Sequence, residues 1–445
     1  MSNLVRSNPA PLANVLPART LRDLTRNCDE DKPLASDDQR WQDFSDARGN
    51  QATVALQREL AWRAPDQFVH AAFVGHRGAG KSTEILRLTG SLGESYHPVY
   101  LAATVEMDPF QIEAEDLLLN LAFSVEASMR LRGTPLSEEL LRRVIAWFDE
   151  VVKHTQWATG FNLEAAAGIE GKASIPFFGS LFGSLKALFK QESTYRTEVK
   201  EVLRKYPGTL LQSVNDLFDE ANRILGDKAL LVIVDNLDRY QPKIIDELLV
   251  VGADRIRQLR ANLILTPPIS LLLQPQSGQL DAIYSCQSLY AVCLRSKETP
   301  YDRFDGPGRD LMEQALARRI DLDELIPEKG ARNLLIAASG GAIRELLHLV
   351  NQSALGAKGE IITERDVERA IGYRKQRLRD MINANGWLDA LLHIAEKKQI
   401  SADEKSMKLL FHYLAFKYNG DGWYDIHPLI DEIPEFVSGR RGTDR

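Results

Sequence analysis

GHRGAGKS, residues 75–82, follows the apolar run VHAAFV of residues 69–74 and opens a segment with helical spacing that extends from Lys81 to about Leu92. The eight residues match the pattern G-x-x-x-x-G-K-[ST] in full. Glycines let several main-chain N–H groups approach one phosphate chain, and a helix that begins there adds partial positive charge. The stretch predicts a strand, a phosphate-binding loop and a helix, with a nucleoside triphosphate as the ligand.

The loop assigns a role to each of its polar residues. Lys81 is expected to reach the β- and γ-phosphates, and the Ser82 hydroxyl is expected to ligate Mg²⁺. ATP or ADP with Mg²⁺ is the predicted cofactor. The residues expected to contact it are Gly75, His76, Arg77, Gly78, Ala79, Gly80, Lys81, Ser82 and Thr83.

A second predicted buried strand is followed by an acidic residue. The run ALLVIV of residues 229–234 is followed by Asp235, Asn236, Leu237, Asp238 and Arg239. A carboxylate at the end of a strand beside the phosphate-binding loop is needed to hold Mg²⁺ through water, and we assign that role to Asp235. Asp238 either orients the attacking water or forms a surface ion pair with Arg239.

The remaining pattern predicts an α/β fold. Further strands are expected at 97–105, 262–267 and 288–294, with a helix capped by Asp108 between the first two. Strands that alternate with helices predict a three-layer parallel-sheet P-loop NTPase domain. Residues 1–40 are expected to form an irregular N-terminal arm, and after about residue 300 the pattern becomes helical.

Composition and charge bear on the cellular location and on the partners of the chain. The 445 residues carry a formal net charge of −7 and three cysteines, without any C-x-x-C pair. An acidic chain gains no bulk attraction to nucleic acid or to an anionic membrane, and sparse cysteines are typical of a reducing cytoplasm. The N-terminus lacks a signal-peptide pattern, and no apolar run reaches the ~18 residues that span a bilayer. We therefore predict a cytoplasmic location and no membrane partner.

The chain resembles the AAA+/STAND branch of P-loop ATPases, in the style of origin-recognition, NACHT-like and KAP-like NTPases. The resemblance rests on GHRGAGKS (75–82), LLVIVDNLDR (230–239), NLILTPP (262–268) and GGAIRELL (340–347). It implies a core (41–300) with a helical insertion at about 107–225, a helical lid (301–380) and a C-terminal winged-helix-like domain (381–445). It also implies that Thr266 senses the γ-phosphate, that Arg344 reaches the nucleotide from the lid, and that His427 in Ile426-His427-Pro428-Leu429 touches the β-phosphate of ADP.

The resemblance also indicates slow turnover. AAA+ proteins commonly place a catalytic Glu directly after the metal-binding Asp, whereas this chain has Asn236. Arg318 and Arg319, at the end of the segment DLMEQALARR, are expected either to form an ion pair within the lid or to reach the phosphate of a neighbouring subunit.

Two functions follow from this resemblance. The first is a nucleotide-dependent switch that assembles as a homo-oligomer on ATP binding and acts on an effector or sensor protein in trans, as in bacterial antiviral systems. The second is a DNA-binding or DNA-loading ATPase of origin-recognition or transposition-regulator type. Its candidate basic residues alternate with acids, which is more typical of a solvated helix face; they are Arg365, Arg369, Arg374, Lys375, Arg377 and Arg379. A scaffold that binds nucleotide without hydrolysing it is a third class that Asn236 allows.

The insertion contains an apolar helical face from Phe178 to Phe189. Three interpretations stay open for it, namely packing on the insertion's own core, docking of a partner or neighbouring subunit, and contact with a membrane surface.

Overall fold

The computed structural model describes residues 15–64, 66–108, 112–141, 143, 207–274, 277–301, 303–418 and 422–443. The apolar face at 178–189 and most of the predicted insertion lie outside the described residues. Among those described, no helix combines the length and apolarity needed to cross a bilayer.

A five-stranded parallel sheet organises the core, with the strand order β2-β3-β4-β1-β5. Its strands are β1 (His70–Gly75), β2 (Tyr96–Ala102), β3 (Ala229–Asp235), β4 (Asn262–Leu265) and β5 (Ser285–Leu289). The register pairs Ala102 with Asp235 and Gly75 with Leu289, so the carboxyl ends of all five strands meet at one edge. This confirms the predicted parallel α/β sheet.

Helices cover both faces of the sheet and complete three layers. Ala71 and Phe73 of β1 face a core built with helices Ala52–Trp62 and Lys81–Ser91. Ala72 and Val74 face the opposite core, which includes helices Ala114–Leu131 and Pro207–Leu225. Strands buried on both faces are continuously apolar, which explains the run at 229–234.

Most other helices of the core and lid have ten residues or fewer, and the two longer ones are Ile343–Gly356 and Glu364–Asn385. These helices are Leu21–Asn27, Ser45–Arg48, Ala103–Glu106, Pro242–Asp246, Ala253–Arg257, Ser277–Ile283, Gly308–Ala317, Leu322–Leu325, Lys329–Ala338, Ile343–Gly356 and Glu364–Asn385. Single turns of tighter or wider helix occupy Leu237–Arg239, Glu247–Val251 and Ile269–Leu273.

A C-terminal module follows the lid and consists of helices Leu388–Lys397, Glu404–Phe411 and Pro434–Thr443, the antiparallel pair β6 (Ala415–Lys417) and β7 (Tyr424–Ile426), and the 3-10 turn Pro428–Ile430. Its assignment as a winged helix stays a prediction.

Four sequence predictions differ from the structure in their boundaries. The strand predicted at 97–105 ends at Ala102, where the short helix Ala103–Glu106 begins. The long helix that follows begins at Ala114 and is capped by Glu113 rather than by Asp108. The predicted strand 288–294 is shifted to Ser285–Leu289, because the following main chain bonds elsewhere: Val292 N donates to Gly341 O and Cys293 N donates to Ala47 O. The proposed boundary at residue 380 falls inside one continuous helix, which runs from the Thr363 cap to Gly386 in the left-handed region.

The predicted irregular arm 1–40 is partly ordered where it is described. Thr20 caps the helix Leu21–Asn27, and Leu24 and Cys28 are fully buried. They share one apolar core with the lid and the C-terminal module. This long-range packing fixes a segment whose local composition indicated no helix.

The C-terminal module is joined to the core by a buried ionic cluster. The Asp425 carboxylate is fully buried and accepts hydrogen bonds from Arg295, from Lys398 Nζ at 2.6 Å and from the Tyr301 hydroxyl at 2.6 Å. Buried charges are tolerated when they are paired and fully hydrogen-bonded.

We expect Asp425→Asn to lower the free energy of unfolding by about 3–5 kcal/mol, because it leaves two buried cations without their carboxylate. The matched control is Glu432→Gln, which breaks an exposed ion pair with Lys375 and is expected to cost under about 1 kcal/mol. Urea unfolding followed by tryptophan fluorescence measures both changes. Equal losses in the two variants would show that the buried cluster stabilises the fold no more than an exposed ion pair does.

Candidate nucleotide-binding site

The phosphate-binding loop has the main-chain geometry that its glycines predict. β1 ends at Gly75 and the next helix begins at Lys81. Gly78 and Gly80 have φ values of +76° and +99°, in the left-handed region where a side chain is unfavourable. The order strand, G-x-x-x-x-G-K-S loop and helix is that of a P-loop.

Lys81 is buried and held by three acceptors. Its Nζ donates to Gly75 O at 3.0 Å, to His76 O at 2.9 Å and to Asp238 Oδ2 at 2.6 Å. Asp238 is only 6% exposed, so it is no surface residue and makes its ion pair with Lys81. The predicted phosphate ligand and the predicted water-orienting acid therefore neutralise each other.

Asp235 ends β3 with both carboxylate oxygens bonded. Oδ1 accepts from Thr266 Oγ1 at 2.9 Å and from Asn236 N at 2.8 Å, while Oδ2 accepts from the Tyr100 hydroxyl. Tyr100 and Asp235 line the cleft above the loop. Thr266 is fully buried and does not line the cleft, so in this structure it orients Asp235 instead of facing a phosphate.

The lid reaches the loop at Arg344, and the contact of Arg344 with a nucleotide stays a prediction. Arg344 N donates to Gly78 O at 3.3 Å, and its side chain lines the cleft. A Cβ at Gly78 would lie 2.5 Å from the Arg344 Cβ, so only glycine allows this approach. The Arg344 Nε donates to the main-chain oxygen of Glu30, which the sequence did not predict.

The C-terminal module binds the loop through His76. The main-chain N–H of Lys417 in β6 donates to His76 Nε2 at 2.8 Å, and the Phe416 ring packs edge-on against the His76 ring. The Tyr413 hydroxyl is buried without a hydrogen-bond partner, 2.8 Å from where a Gly78 Cβ would lie. His76 thus contacts the C-terminal module, whereas Arg77 is exposed and does not line the cleft.

His427 does not lie in the cleft. It is fully buried, its Nδ1 accepts from Leu429 N at 3.2 Å, and its Nε2 is 3.6 Å from Glu345 Oε1. Phe416 lies between it and the phosphate-binding loop, since the Phe416 ring contacts the rings of both His427 and His76. The predicted contact of His427 with a phosphate is therefore not made in this structure.

Glu345 lies behind the cleft between His427 and Arg374. Burial raises its pKa, but His427 and Arg374 outweigh burial and lower the pKa of Glu345 to about 2. Arg374 donates to both carboxylate oxygens, at 2.5 and 3.0 Å. The ion pair fixes the helix that carries Arg344 to the helix Glu364–Asn385.

The N-terminal segment forms one wall of the cleft, which sequence analysis missed. The cavity is about 310 Å³, and residues 29–34 line it together with Ser82, Thr83 and Lys81. Leu34 N donates to Thr83 Oγ1 at 3.2 Å, and the Glu30 carboxylate contacts His348 Nδ1 of the lid at 3.0 Å. No sequence motif marks this segment, because its partners are distant in the chain.

Arg318 and Arg319 also bind the N-terminal segment. Arg318 Nε donates to Gln42 Oε1 at 2.9 Å, and an Arg319 terminal nitrogen donates to Arg40 O at 2.7 Å. Neither makes an ion pair within the lid among the described residues. Arg319 is 5% exposed and so is not free to reach a neighbouring subunit.

The basic helix of the lid directs most of its charges at acids of this chain. Arg369 pairs with Asp366, Arg374 with Glu345, Lys375 with Glu432 and Arg379 with Glu435. Four of the six candidate DNA contacts are therefore engaged within the molecule. Only Asp366 belongs to the same helix, so the other three pairs join the helix to neighbouring elements, whereas the sequence predicted a solvated face.

The cleft has the groups that magnesium and a triphosphate require. Ser82 and Asp235 supply oxygen near the loop, and Lys81, Arg344 and the helix N-terminus supply positive charge. Mg²⁺ in such sites keeps several waters and uses only one or two protein oxygens. The residues present thus fit a magnesium–nucleotide complex.

Comparisons with known proteins add little to the site. No family model and no curated protein matches the chain. Among solved structures, the chain is similar to the Aeropyrum pernix Orc1 protein in complex with DNA, with a TM-score of 0.38 and 12% identity, over 87% of this chain and 93% of that chain. This likeness is too weak to assign a ligand or an activity.

The contact between His76 and Lys417 is expected to weaken in acid. Burial, with Lys81 and Lys417 nearby, lowers the pKa of His76 from its ordinary value of 6.5 to about 3, because the buried ring must stay neutral for Nε2 to accept. A depressed histidine pKa stabilises the fold above pH 6.5, and that stability is lost as the pH falls from 6.5 towards 3. At pH 5.0 the loss is about 2 kcal/mol.

The measurement is the difference in urea unfolding between pH 7.5 and pH 5.0 in the wild type and in His76→Gln, which offers an acceptor that does not titrate. We expect the wild type to lose about 2 kcal/mol more than the variant. The same pH dependence in both proteins would argue against a neutral, buried His76.

Proposed function

We propose that this protein is a regulatory ATPase of AAA+/STAND type, in which the bound nucleotide controls the contact between the P-loop and the C-terminal module. The observation that carries the proposal is the hydrogen bond from Lys417 N to His76 Nε2. A module that binds the phosphate-binding loop itself senses any change of that loop directly. Arg344 adds a second link, from the lid to Gly78.

The geometry favours slow hydrolysis. Asp238 is held by Lys81, and Asp235 is held by Tyr100 and Thr266. Asn236 occupies the position after Asp235, has a left-handed main chain, and is too weak a base to replace a carboxylate. A phosphate oxygen at Lys81 would free Asp238 to orient water, so hydrolysis would begin only after these internal bonds rearrange.

Magnesium would be held by Ser82 and by Asp235, the latter through water. Its chemistry there would be the neutralisation of negative charge on the β- and γ-phosphates. Lys81 and Arg344 would contribute further positive charge from the loop and the lid.

The partners follow from the same switch. We propose that ATP binding releases the C-terminal module, promotes assembly with further copies of the chain and exposes a surface for an effector or sensor protein in trans, in the cytoplasm. A place in a bacterial antiviral system rests on the family resemblance alone.

Lys81→Ala is expected to abolish ATP binding, because it removes the ammonium group that the loop itself supplies to the phosphates. Isothermal titration calorimetry measures the affinity. Lys297→Ala is the control, since Lys297 lies in a separate cavity and its loss should leave ATP affinity unchanged. Normal ATP binding by the Lys81 variant would refute the site.

The switch itself is tested by hydrogen exchange at the Lys417 amide. We expect this amide to exchange at least about tenfold faster with ATP than with ADP, because its hydrogen bond to His76 is released. Lys81→Ala should show no such difference. An exchange rate independent of nucleotide in the wild type, despite measured binding, would contradict the switch and leave a nucleotide-binding scaffold.

DNA binding separates the proposed switch from the DNA-loading alternative. Because four basic residues of the lid helix are paired with acids, we expect no measurable binding of a 30-base-pair duplex at about 150 mM salt, with or without ATP. Fluorescence anisotropy measures the affinity. Binding that weakens with salt and is lost on substitution of Arg365 and Arg377 would favour the alternative.

A further inference from the structure

Residues 29–34 form an irregular segment along the nucleotide cleft, and we call this segment the strap. All six of its residues line the cleft. The strap is buried at its ends, since Cys28 just before it is fully buried and Leu34 is 9% exposed, whereas residues 31–33 are exposed to solvent. One side of the strap therefore faces the cleft, and the other side faces water.

The first end of the strap is held by the lid helix that carries Arg344. The Arg344 Nε donates to Glu30 O at 3.1 Å, and His348 Nδ1 lies 3.0 Å from a Glu30 carboxylate oxygen. One turn further along the helix, the Asn351 Nδ2 donates to Cys28 O at 2.9 Å. Spacings of four and three residues place these three side chains on one face of the helix, which is turned to the strap.

The second end of the strap is held by the helix Lys81–Ser91, which follows the phosphate-binding loop. Leu34 N donates to Thr83 Oγ1 at 3.2 Å. Just beyond the strap, an Arg87 terminal nitrogen donates to Ser36 O at 2.8 Å. The strap therefore bridges the two walls of the cleft, which are the lid and the helix of the phosphate-binding loop.

Few other contacts hold the strap in place. Residues 29–34 lack regular secondary structure, and no hydrogen bond joins their main-chain groups to other main-chain groups of the described residues. Segments of this kind open locally at a low free-energy cost, without unfolding of the core. The strap can thus be released while the sheet and the phosphate-binding loop stay folded.

The contact between Glu30 and His348 is the one ion pair of the strap among the described residues. The two side chains are 26% and 30% exposed. The hydrogen bond with Glu30 raises the pKa of His348 above its ordinary value of 6.5, so the two side chains form an ion pair at pH 6.5. Loss of this pair is expected to favour release of the strap from the lid.

We propose that the strap is a gate that sets the rate of nucleotide exchange, with the Glu30–His348 ion pair as its latch. The inference rests on the proposed function, since it needs a nucleotide in the cleft. A nucleotide enters or leaves only while the strap is released from the lid. The strap and the nucleotide also share Arg344, which bonds to Glu30 O and lines the cleft.

A gate differs kinetically from a residue that binds the ligand. Weakening the latch increases the fraction of time for which the strap is open. The association and dissociation rate constants then rise by the same factor, and Kd stays unchanged. Removing a direct contact with a ligand instead changes chiefly the dissociation rate constant, and Kd rises with it.

The test is stopped-flow exchange of ribose-labelled fluorescent ADP on the full chain at pH 6.5. Glu30→Gln keeps the length of the side chain and removes the charge of the latch. We expect both rate constants to rise about fivefold, with Kd within about twofold of the wild-type value. His348→Gln should have the same effect, and the double variant should show no further rise, because both substitutions break one contact.

Asp31→Asn is the matched comparison, because it removes the same charge from the same segment. The Asp31 carboxylate has no hydrogen bond or ion pair among the described residues. If the charge of the strap acts only by repelling an anionic ligand, its removal raises the association rate constant and lowers Kd without faster dissociation. We therefore expect Asp31→Asn to keep the dissociation rate constant of the wild type.

The outcomes separate this inference from the proposed function. Unchanged rate constants in Glu30→Gln overturn the gate, and a rise in dissociation alone makes Glu30 a binding residue instead. Equal changes in Glu30→Gln and Asp31→Asn assign the effect to charge and also overturn the gate. In each of these cases nucleotide binding itself stands. If labelled ADP does not bind the wild type, the proposed function fails. Should Glu30→Gln not fold, His348→Gln supports the same comparison.

Discussion

The hydrogen bond between the Lys417 main-chain N–H and the His76 ring is the constraint on which the arrangement depends. It joins a strand near the end of the chain to the second residue of the phosphate-binding loop. The lid is drawn in beside it, since Arg344 N bonds to Gly78 O. The loop is therefore both a candidate binding site and a point of attachment. A change of its main chain would alter its contacts with the C-terminal module and with the lid.

The charged groups around this contact are satisfied within the protein. Lys81 is neutralised by Asp238, and Arg374 by Glu345. An unpaired buried charge destabilises the fold, so removing one residue of such a pair leaves the other charge buried without compensation. Arg319 departs from this rule, since among the described residues its hydrogen-bond partners are carbonyl oxygens and its buried Nε has none.

Local patterns predicted the parts of the structure that local forces determine. The phosphate-binding loop and the strand that ends at Asp235 both followed from short motifs. The wall at residues 29–34 did not, because Glu30 meets His348 across 318 positions and no periodicity signals such a contact. The strand predicted at 288–294 was misplaced because the Val292 side chain packs in the core shared by the lid and the C-terminal module, and not in the core of the sheet. His427 was assigned by resemblance, and the fold buries it against Phe416.

The helix Glu364–Asn385 has a mechanical consequence. It begins at Glu364 in the lid, ends at Asn385 just before the C-terminal module and, at 1.5 Å per residue, is about 33 Å long. A tilt of about 5° at the Arg374–Glu345 pair, close to its middle, would move each end by roughly 1–2 Å in opposite directions. Because Glu345 follows Arg344 of the cleft directly in the chain, a shift at the nucleotide that tilted this helix would displace residues roughly 16 Å away on both sides of the ion pair.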